Sequence, residues 1–199
     1  MIESRIAIAW PAREIFNSET ATVNTQLRLS PYEPRQLIRF PIEEGEGRED
    51  APQILAYLNA VVEQFGRSPW IREYTVSILP PWTGDNDQVT ILRTIVEFVR
   101  DRMRYLLDPE GSEYFIDPLA LIQEIETNGH AFGDCDDHVS LLNSMARSMG
   151  FEARAVGVHL HDDRLWDHVI SQVRLNGQWI DIDPCVKTND TPFYREKLV

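Results

Sequence analysis

The sequence predicts an α+β fold in which a helix that begins at a cysteine packs on an antiparallel sheet, with a strand-rich section before this core. Three observations predict it. Strand-like segments gather in residues 1–45, apolar residues recur at helical spacing between residues 50 and 150, and an Asn-Gly pair joins two strand-like segments near the C-terminus. We therefore divide the chain into a strand-rich extension, residues 1–45, packed on or docking to the core, and one larger domain, residues 50–199.

The composition narrows the class of protein. The chain has 199 residues, of which 43% are hydrophobic, enough for one domain with a sizeable core. Its net charge of −13 argues against nucleic acid as a partner, because phosphate binding needs clustered Lys and Arg. No apolar run approaches the ~20 residues needed to cross a bilayer, and we find no signal peptide. For the same reason we expect no membrane partner. Two cysteines are too few for a disulfide framework, so we expect a reducing, cytoplasmic location.

The first half of the chain contains both strand and helix signals. RIAIAW, VNTQLRLS and RQLIRF are rich in β-prone residues and predict strands, and the acidic segment at residues 43–50 predicts an exposed loop. Asp50 can cap a helix through LAYLNAVVEQF that Gly66 ends. The segment at residues 70–79, WIREYTVSIL, is interpreted as a strand, and PPWTGDND as a turn.

The next elements lead towards the cysteine. Apolar residues at helical spacing predict a helix over residues 89–107, and DPEGSEYF predicts a loop. Asp117 followed by Pro118 predicts the start of a short helix, because proline suits the first helical position.

The segment AFGDCDDHVSLL places a cysteine at a helix start. Asp134 can cap the helix, so Cys135 becomes its first residue and faces unpaired backbone N–H groups and the positive end of the helix dipole. That position lowers the pKa of a thiol. Asp137 can reach back as in a capping box, and Asp136 points to solvent or to a buried polar contact. The aspartates partly offset the thiolate stabilisation, so a reactive Cys135 needs a base nearby.

The C-terminal strands supply that base. After a helix stop at Gly150, ARAVGVHL predicts one strand, and a two-residue turn at Asn176-Gly177 predicts a hairpin. Counting outward from the turn, His168 and Asp183 share one face at diagonal positions, about 7 Å apart between backbones and within side-chain reach. The opposite face is expected to be the core side: Val169, Ser171, Val173, Leu175, Ile180 and Ile182.

Two segments together resemble a known family. GDCDDHVSLLNSMARSMGFEARAV and DHVISQVRLNGQWIDIDP resemble the transglutaminase-like superfamily, whose core is a papain-like cysteine hydrolase fold. In that resemblance Cys135 matches the cysteine that opens the core helix, His168 the histidine that begins a strand, and Asp183 the aspartate in a W-x-x-x-D-P stretch. It covers roughly residues 88–186, and the wider sequence looks most like small members from bacteriophages and prophages.

The resemblance implies a function. Residues 50–199 would be the catalytic domain of a cysteine-dependent acyl-transfer enzyme acting on peptide or protein amides, with peptidase- or amidase-type hydrolysis favoured over cross-linking. Cys135, His168 and Asp183 would be the catalytic triad, without cofactor or metal. The Cys135 N–H is one candidate oxyanion donor, and the second is left open among Tyr105, Trp82 and His130.

Other interpretations stay open. The chain could be a non-catalytic phage structural or binding module that docks a protein partner through its N-terminal strands, and a phage protein could be virion-associated. The sequence departs from many family members in having Ile170 in place of an aromatic residue and Cys185 in place of threonine. Substrate choice and activity are therefore open.

Several cysteine and histidine alternatives are weaker. Cys135, His168, Asp183 and Cys185 have ligand chemistry suited to zinc, and a Cys135–Cys185 disulfide is conceivable. His138 is a rival base three residues after the cysteine, although an exposed or capping role is favoured for it. The remaining histidines are expected at the surface or in a loop: His130, His159 and His161.

Overall fold

A computed structural model describes residues 38–41, 51–81, 87–109, 112–159, 168–186 and 197–198. Several predicted features lie outside these ranges: the RIAIAW and VNTQLRLS strands, the acidic loop, the Asp50 cap and most of the PPWTGDND turn. In the described ranges the helices are α1 (Ala51–Phe65), α2 (Pro69–Ile78), α3 (Gln88–Arg102), α4 (Pro118–Asn128) and α5 (Cys135–Ser148). The strands are β1 (Ile38–Pro41), β2 (Met103–Tyr105), β3 (Ser112–Phe115), β4 (Ala131–Gly133), β5 (Ala153–Val158), β6 (His168–Leu175), β7 (Gln178–Ile182) and β8 (Lys197–Leu198).

The strands form one four-stranded sheet and two short pairs. The larger sheet is antiparallel and has the order β7-β6-β5-β8. Strand β1 pairs antiparallel with β3, so the end of the predicted N-terminal section contacts the larger domain, while β2 pairs parallel with β4. The fold is therefore mixed α+β, as predicted. Of the helices that the structure describes, none has the length and apolar character needed to cross a bilayer.

Helix α5 lies at the centre of the core. Nearly all its side chains are buried, and it packs against α1, α2 and α3 on one side and against β5 and β6 on the other. The sheet contributes alternating small and β-branched residues to this core, among them Ala153, Ala155, Val169 and Val173. The larger sheet and the helices thus enclose α5.

Three sequence interpretations need correction. The pattern of residues 70–79 predicts a strand, but α2 is a helix, with Pro69 in its first turn and with Ile71 and Thr75 buried one turn apart. The helix predicted over residues 89–107 ends at Arg102, because the next three residues pair with β4. The predicted DPEGSEYF loop contains β3, which pairs with β1. In each case a contact with a distant segment outweighs the local pattern.

The hairpin between β6 and β7 has the predicted register. Leu175 lies opposite Gln178, and both turn residues have positive φ, 51° at Asn176 and 83° at Gly177. This is the backbone of a tight hairpin turn, which glycine and asparagine adopt at low cost. One residue was assigned wrongly: Ile180, expected on the core side, is 38% exposed. Strand β7 is the edge of the sheet, and α5 packs on β5 and β6 instead.

A buried polar pair fixes α5 on the sheet. The Ser171 hydroxyl on β6 hydrogen-bonds to the side-chain oxygen of Asn143 on α5, and neither residue is exposed. Asn143 lies eight residues after Cys135, and Ser171 lies three residues after His168. Their hydrogen bond therefore sets the relative position of the cysteine-bearing helix and the histidine-bearing strand.

We expect Ser171→Ala to lower the free energy of unfolding by about 1–3 kcal/mol, because it leaves a buried amide oxygen unpaired. Urea denaturation measures this change. The exposed Ser77, which bonds only within its own helix, provides the control, and Ser77→Ala should change stability by less than about 0.5 kcal/mol. Equal effects of the two variants would show that the Ser171 contact does not hold the helix in place.

Candidate active site

The start of α5 is held by its own aspartates. Asp134 occupies the N-cap, and its side chain accepts a hydrogen bond from the Asp136 N–H at 3.3 Å. The Asp137 carboxylate accepts the Ile116 N–H at 2.8 Å and also bonds to the Asp134 backbone, the reach-back that the sequence suggested. Cys135 is the first helical residue and is 9% exposed. The cap therefore fixes both the helix start and the segment that precedes α4.

Gly133 is required by this close packing. A Cβ atom at Gly133 would lie 2.4 Å from Oδ2 and 2.6 Å from Cβ of Asp137. Any larger side chain would displace the Asp137 carboxylate, and with it the cap of the cysteine-bearing helix. The Gly-Asp-Cys order thus has a steric origin.

The thiol is not acidified by its helix position alone. Burial raises the pKa of Cys135 well above its usual value, and the negative charges of Asp134 and Asp136 raise it further. The Val169 N–H, which donates a hydrogen bond to the sulfur, acts in the opposite direction. The sequence predicted a lowered pKa for Cys135. That prediction is wrong for the resting protein, because the loss of water outweighs the helix dipole.

The aspartates beside the cysteine are themselves perturbed. Burial and neighbouring carboxylates raise the pKa of Asp136 well above its usual value, and burial does the same for the pKa of Asp137. Asp136 is fully buried and accepts the Asp137 N–H at 2.8 Å, so of the two orientations predicted for it, the buried polar contact is correct. A proton retained by these carboxyls reduces the negative charge that faces Cys135.

His168 and Asp183 meet on the predicted face of the hairpin. The distance between His168 Nε2 and Asp183 Oδ2 is 2.9 Å, and the two residues are 8% and 3% exposed. Asp183 is held in turn: its Oδ1 accepts the Cys185 N–H at 2.9 Å, and its backbone carbonyl accepts Nη2 of Arg100 at 2.9 Å. Arg100 comes from α3, and nothing in the sequence indicated this role for it.

The start of β6 lies near the Cys135 sulfur. The hydrogen bond from the Val169 N–H places the Cys135 sulfur beside the residue that directly follows His168. Because Nε2 of His168 bonds to Asp183, Nδ1 is the ring nitrogen left to interact with a thiol. The described contacts thus join His168 to Asp183 and relate the Cys135 sulfur to Val169, the residue after His168.

Tyr105 also lies near Cys135. Burial raises the pKa of Tyr105, and its interaction with Cys135 raises the pKa further, while the residue is 48% exposed. Two other side chains were suggested as oxyanion donors. The His130 ring packs edge-on against the Phe132 ring, with 5.0 Å between the ring centroids, and Trp82 lies outside the described residues. Tyr105 is the one suggested donor for which the described structure gives an interaction with the thiol.

His138 is held in a neutral form. It is 3% exposed, so an exposed position is wrong, and its Nδ1 lies 2.6 Å from the Asp134 carbonyl oxygen. A carbonyl only accepts, so Nδ1 carries the proton of this bond. Burial lowers the pKa of His138. His159, expected at the surface, is 8% exposed because it follows the buried end of β5, and His161 lies outside the described residues.

Two groups of side chains have metal-ligand chemistry. His168, Asp183 and Cys185 place ligand atoms within 4.8 Å of one another, as do the buried carboxylates of Glu113, Asp134 and Asp136. In the first group both Asp183 oxygens already have partners, and burial raises the pKa of Cys185, which opposes the thiolate that zinc requires. Both cysteines are free thiols in this structure, so it contains no Cys135–Cys185 disulfide.

The structure places a buried thiol at a helix start and a buried histidine–carboxylate pair at the ends of two strands of the sheet. These are groups that a protein of the cysteine-based acyl-transfer class uses. The sequence model of the transglutaminase-like superfamily matches residues 80–184, and the chain belongs to that superfamily. No curated protein matches the sequence. The resemblance identified from the Gly-Asp-Cys and hairpin segments is thereby confirmed at the level of the superfamily.

Proposed function

We propose that the protein cleaves amide bonds of peptides or proteins by cysteine-dependent acyl transfer, with water as the final acceptor. Cys135 is the nucleophile, His168 the base, and Asp183 the residue that orients the imidazole. The observation that supports this most is the buried 2.9 Å contact between His168 and Asp183, at the strand end that contacts the Cys135 sulfur. A carboxylate in that position holds the imidazole in one tautomer and stabilises its cation.

The proposed reaction follows from these positions. The Cys135 thiol transfers its proton to Nδ1 of His168 while the sulfur attacks the amide carbonyl carbon. The tetrahedral intermediate collapses to a thioester, and His168 returns the proton to the departing amine. Water then loses a proton to His168 and attacks the thioester carbon. The C–S bond breaks, the acid leaves, and His168 returns the proton to the Cys135 sulfur, which restores the thiol. The backbone N–H of Cys135, at the start of α5, is a donor to the oxyanion in both steps.

Tyr105 is proposed as the second oxyanion donor, because its hydroxyl lies near enough to Cys135 for the two side chains to influence each other, and the oxyanion forms on the carbonyl that Cys135 attacks. We expect Tyr105→Phe to lower kcat by about 10²-fold or more while KM changes little, as for the loss of other oxyanion donors. Steady-state kinetics on a fluorogenic peptide amide measures both constants. Unchanged kcat, or a change confined to KM, would contradict the assignment. Tyr114→Phe, in β3, is the matched control and should retain activity.

Water is favoured as the acceptor because it needs no binding site of its own. A panel of peptide and cell-wall amides, each incubated with and without a fluorescent primary amine, tests this. Hydrolysis predicts free acid in both series, whereas a cross-linking enzyme would incorporate the amine. Mass spectrometry of the quenched reaction should show the acyl group on Cys135. A protein that retains every substrate intact and forms no adduct would be a binding module instead.

A further inference from the structure

Asp183 lies one residue beyond the paired part of the hairpin. The pairing between β6 and β7 ends where Ser171 lies opposite Ile182, so strand pairing does not fix the backbone of Asp183. Both oxygens of its carboxylate are nevertheless engaged, Oδ2 by Nε2 of His168 and Oδ1 by the Cys185 N–H. The direction of the carboxylate therefore depends on other contacts that hold the Asp183 backbone.

Arg100 supplies such a contact from α3. Its Nη2 donates to the backbone carbonyl oxygen of Asp183 at 2.9 Å, although the two residues are 83 positions apart in the sequence. The neighbouring Val99 is fully buried in the core, and α3 packs against α5. One helix thus contacts both the cysteine-bearing helix and the aspartate that pairs with His168.

An arginine at this position has a cost. Nε of Arg100 is buried and has no hydrogen-bond partner among the described residues. A buried N–H group without a partner destabilises the folded protein, and native proteins rarely retain one without a reason. An apolar side chain such as methionine would fill similar space without this cost. The unpaired Nε therefore points to a role for the guanidinium other than packing.

We propose that Arg100 is a positioning residue for the reaction: it fixes the Asp183 backbone, so that the carboxylate keeps the imidazole proton of His168 on Nε2 and leaves Nδ1 free to act as the base. Arg100 acts through Asp183 and not on the substrate. Its charged group donates a stronger hydrogen bond than a neutral donor would, which suits this task. The proposal rests on the proposed function and adds to it the residue that holds the aspartate in place.

Kinetics of the full chain on the fluorogenic peptide amide provide the first test. Arg100→Met removes the donor and keeps a side chain of similar length. It should lower kcat by about 10- to 100-fold with little change in KM, because a small misplacement of a catalytic group is costly. Arg100→Lys keeps the charge and a donor, so it should retain more activity than Arg100→Met.

Arg102→Met is the matched control. Arg102 lies on the same helix and also donates to a backbone carbonyl, that of Gly129, at 3.1 Å, but on the exposed surface. Arg102→Met should keep nearly the full kcat of the wild type. Equal losses of kcat in Arg102→Met and Arg100→Met would overturn the proposal, and so would a change in Arg100→Met that is confined to KM.

Nitrogen NMR of isotope-labelled histidine provides a second test that needs no substrate. With the ring neutral, His168 of the wild type and of Arg102→Met should carry its proton on Nε2, whereas Arg100→Met should show a mixture of the two tautomers. A tautomer unchanged in Arg100→Met would overturn the proposal. If urea denaturation shows that Arg100→Met does not fold, Arg100→Gln is tested with the same expectations.

The two tests separate this inference from the proposed function. If the wild type cleaves no amide but Arg100→Met still shifts the tautomer of His168, the proposed function is refuted and the role of Arg100 in orienting His168 stands. If the wild type cleaves amides and Arg100→Met matches it in kcat, only the role of Arg100 is refuted.

Discussion

Replacing His168 with glutamine is expected to lower kcat/KM for amide hydrolysis by about 10²–10⁴-fold, the usual contribution of a general base. Glutamine keeps a polar side chain that can bond to Asp183, but it cannot take the thiol proton. Because burial raises the pKa of Cys135, the variant thiol would ionise only at alkaline pH. The residual kcat/KM of His168→Gln should therefore still rise with pH in the range in which kcat/KM of the wild type has already reached its plateau. Kinetics with the fluorogenic peptide amide over a pH series measures both effects.

His138 provides the comparison for this variant, since it lies three residues after the cysteine on the same helix. Its Nδ1–H is engaged by the Asp134 carbonyl and its pKa is lowered by burial, so it is a poorer base. His138→Gln should retain much more activity than His168→Gln. A larger loss of activity in His138→Gln than in His168→Gln would show that His138, and not His168, is the base.

Replacing Asp183 with asparagine is expected to lower kcat by about 10²-fold or more, with a much smaller change in KM. With aspartate in place, His168 donates its Nε2 proton to the carboxylate, and Nδ1 is left free to accept a proton from the thiol. The amide of asparagine can donate to Nε2, which favours the opposite tautomer with a proton on Nδ1. That tautomer cannot act as the base.

Asp181→Asn is the matched control for this variant, because Asp181 lies two residues away and bonds to Gln172 instead of His168. It should keep nearly full activity. Near-equal losses in the two variants would mean that the hairpin tolerates neither change, and would remove the argument for a special role of Asp183. Urea denaturation of both variants separates loss of folding from loss of catalysis.

The parts of the site that the sequence predicted are those set by short-range geometry. The Asn176-Gly177 turn fixes the hairpin register over a few residues, so counting outward from it is enough to place His168 and Asp183 on one face. The cap at Asp134 likewise places Cys135 at a helix start. Each prediction depends on residues close in sequence, where turn and capping preferences are strong.

The parts that the sequence missed depend on packing between distant segments. Arg100 on α3 reaches the Asp183 carbonyl from a distant part of the sequence, and Glu113 on β3 comes close to the aspartates at the start of α5. The raised pKa of Cys135 follows from burial, which no local pattern reveals. The interpretation of residues 70–79 as a strand failed for the same reason, since burial of Ile71 in the core decided the structure of α2.

The central claim is that His168 makes the Cys135 thiol nucleophilic. Alkylation by iodoacetamide, followed residue by residue with mass spectrometry from about pH 5 to about pH 10, tests it without a substrate. Because burial raises the pKa of Cys135, alkylation of the wild type near neutral pH depends on proton transfer to His168, so His168→Gln should slow the rate at Cys135 throughout the range below about pH 8.5. Identical profiles for Cys135 in the wild type and in His168→Gln would contradict the account.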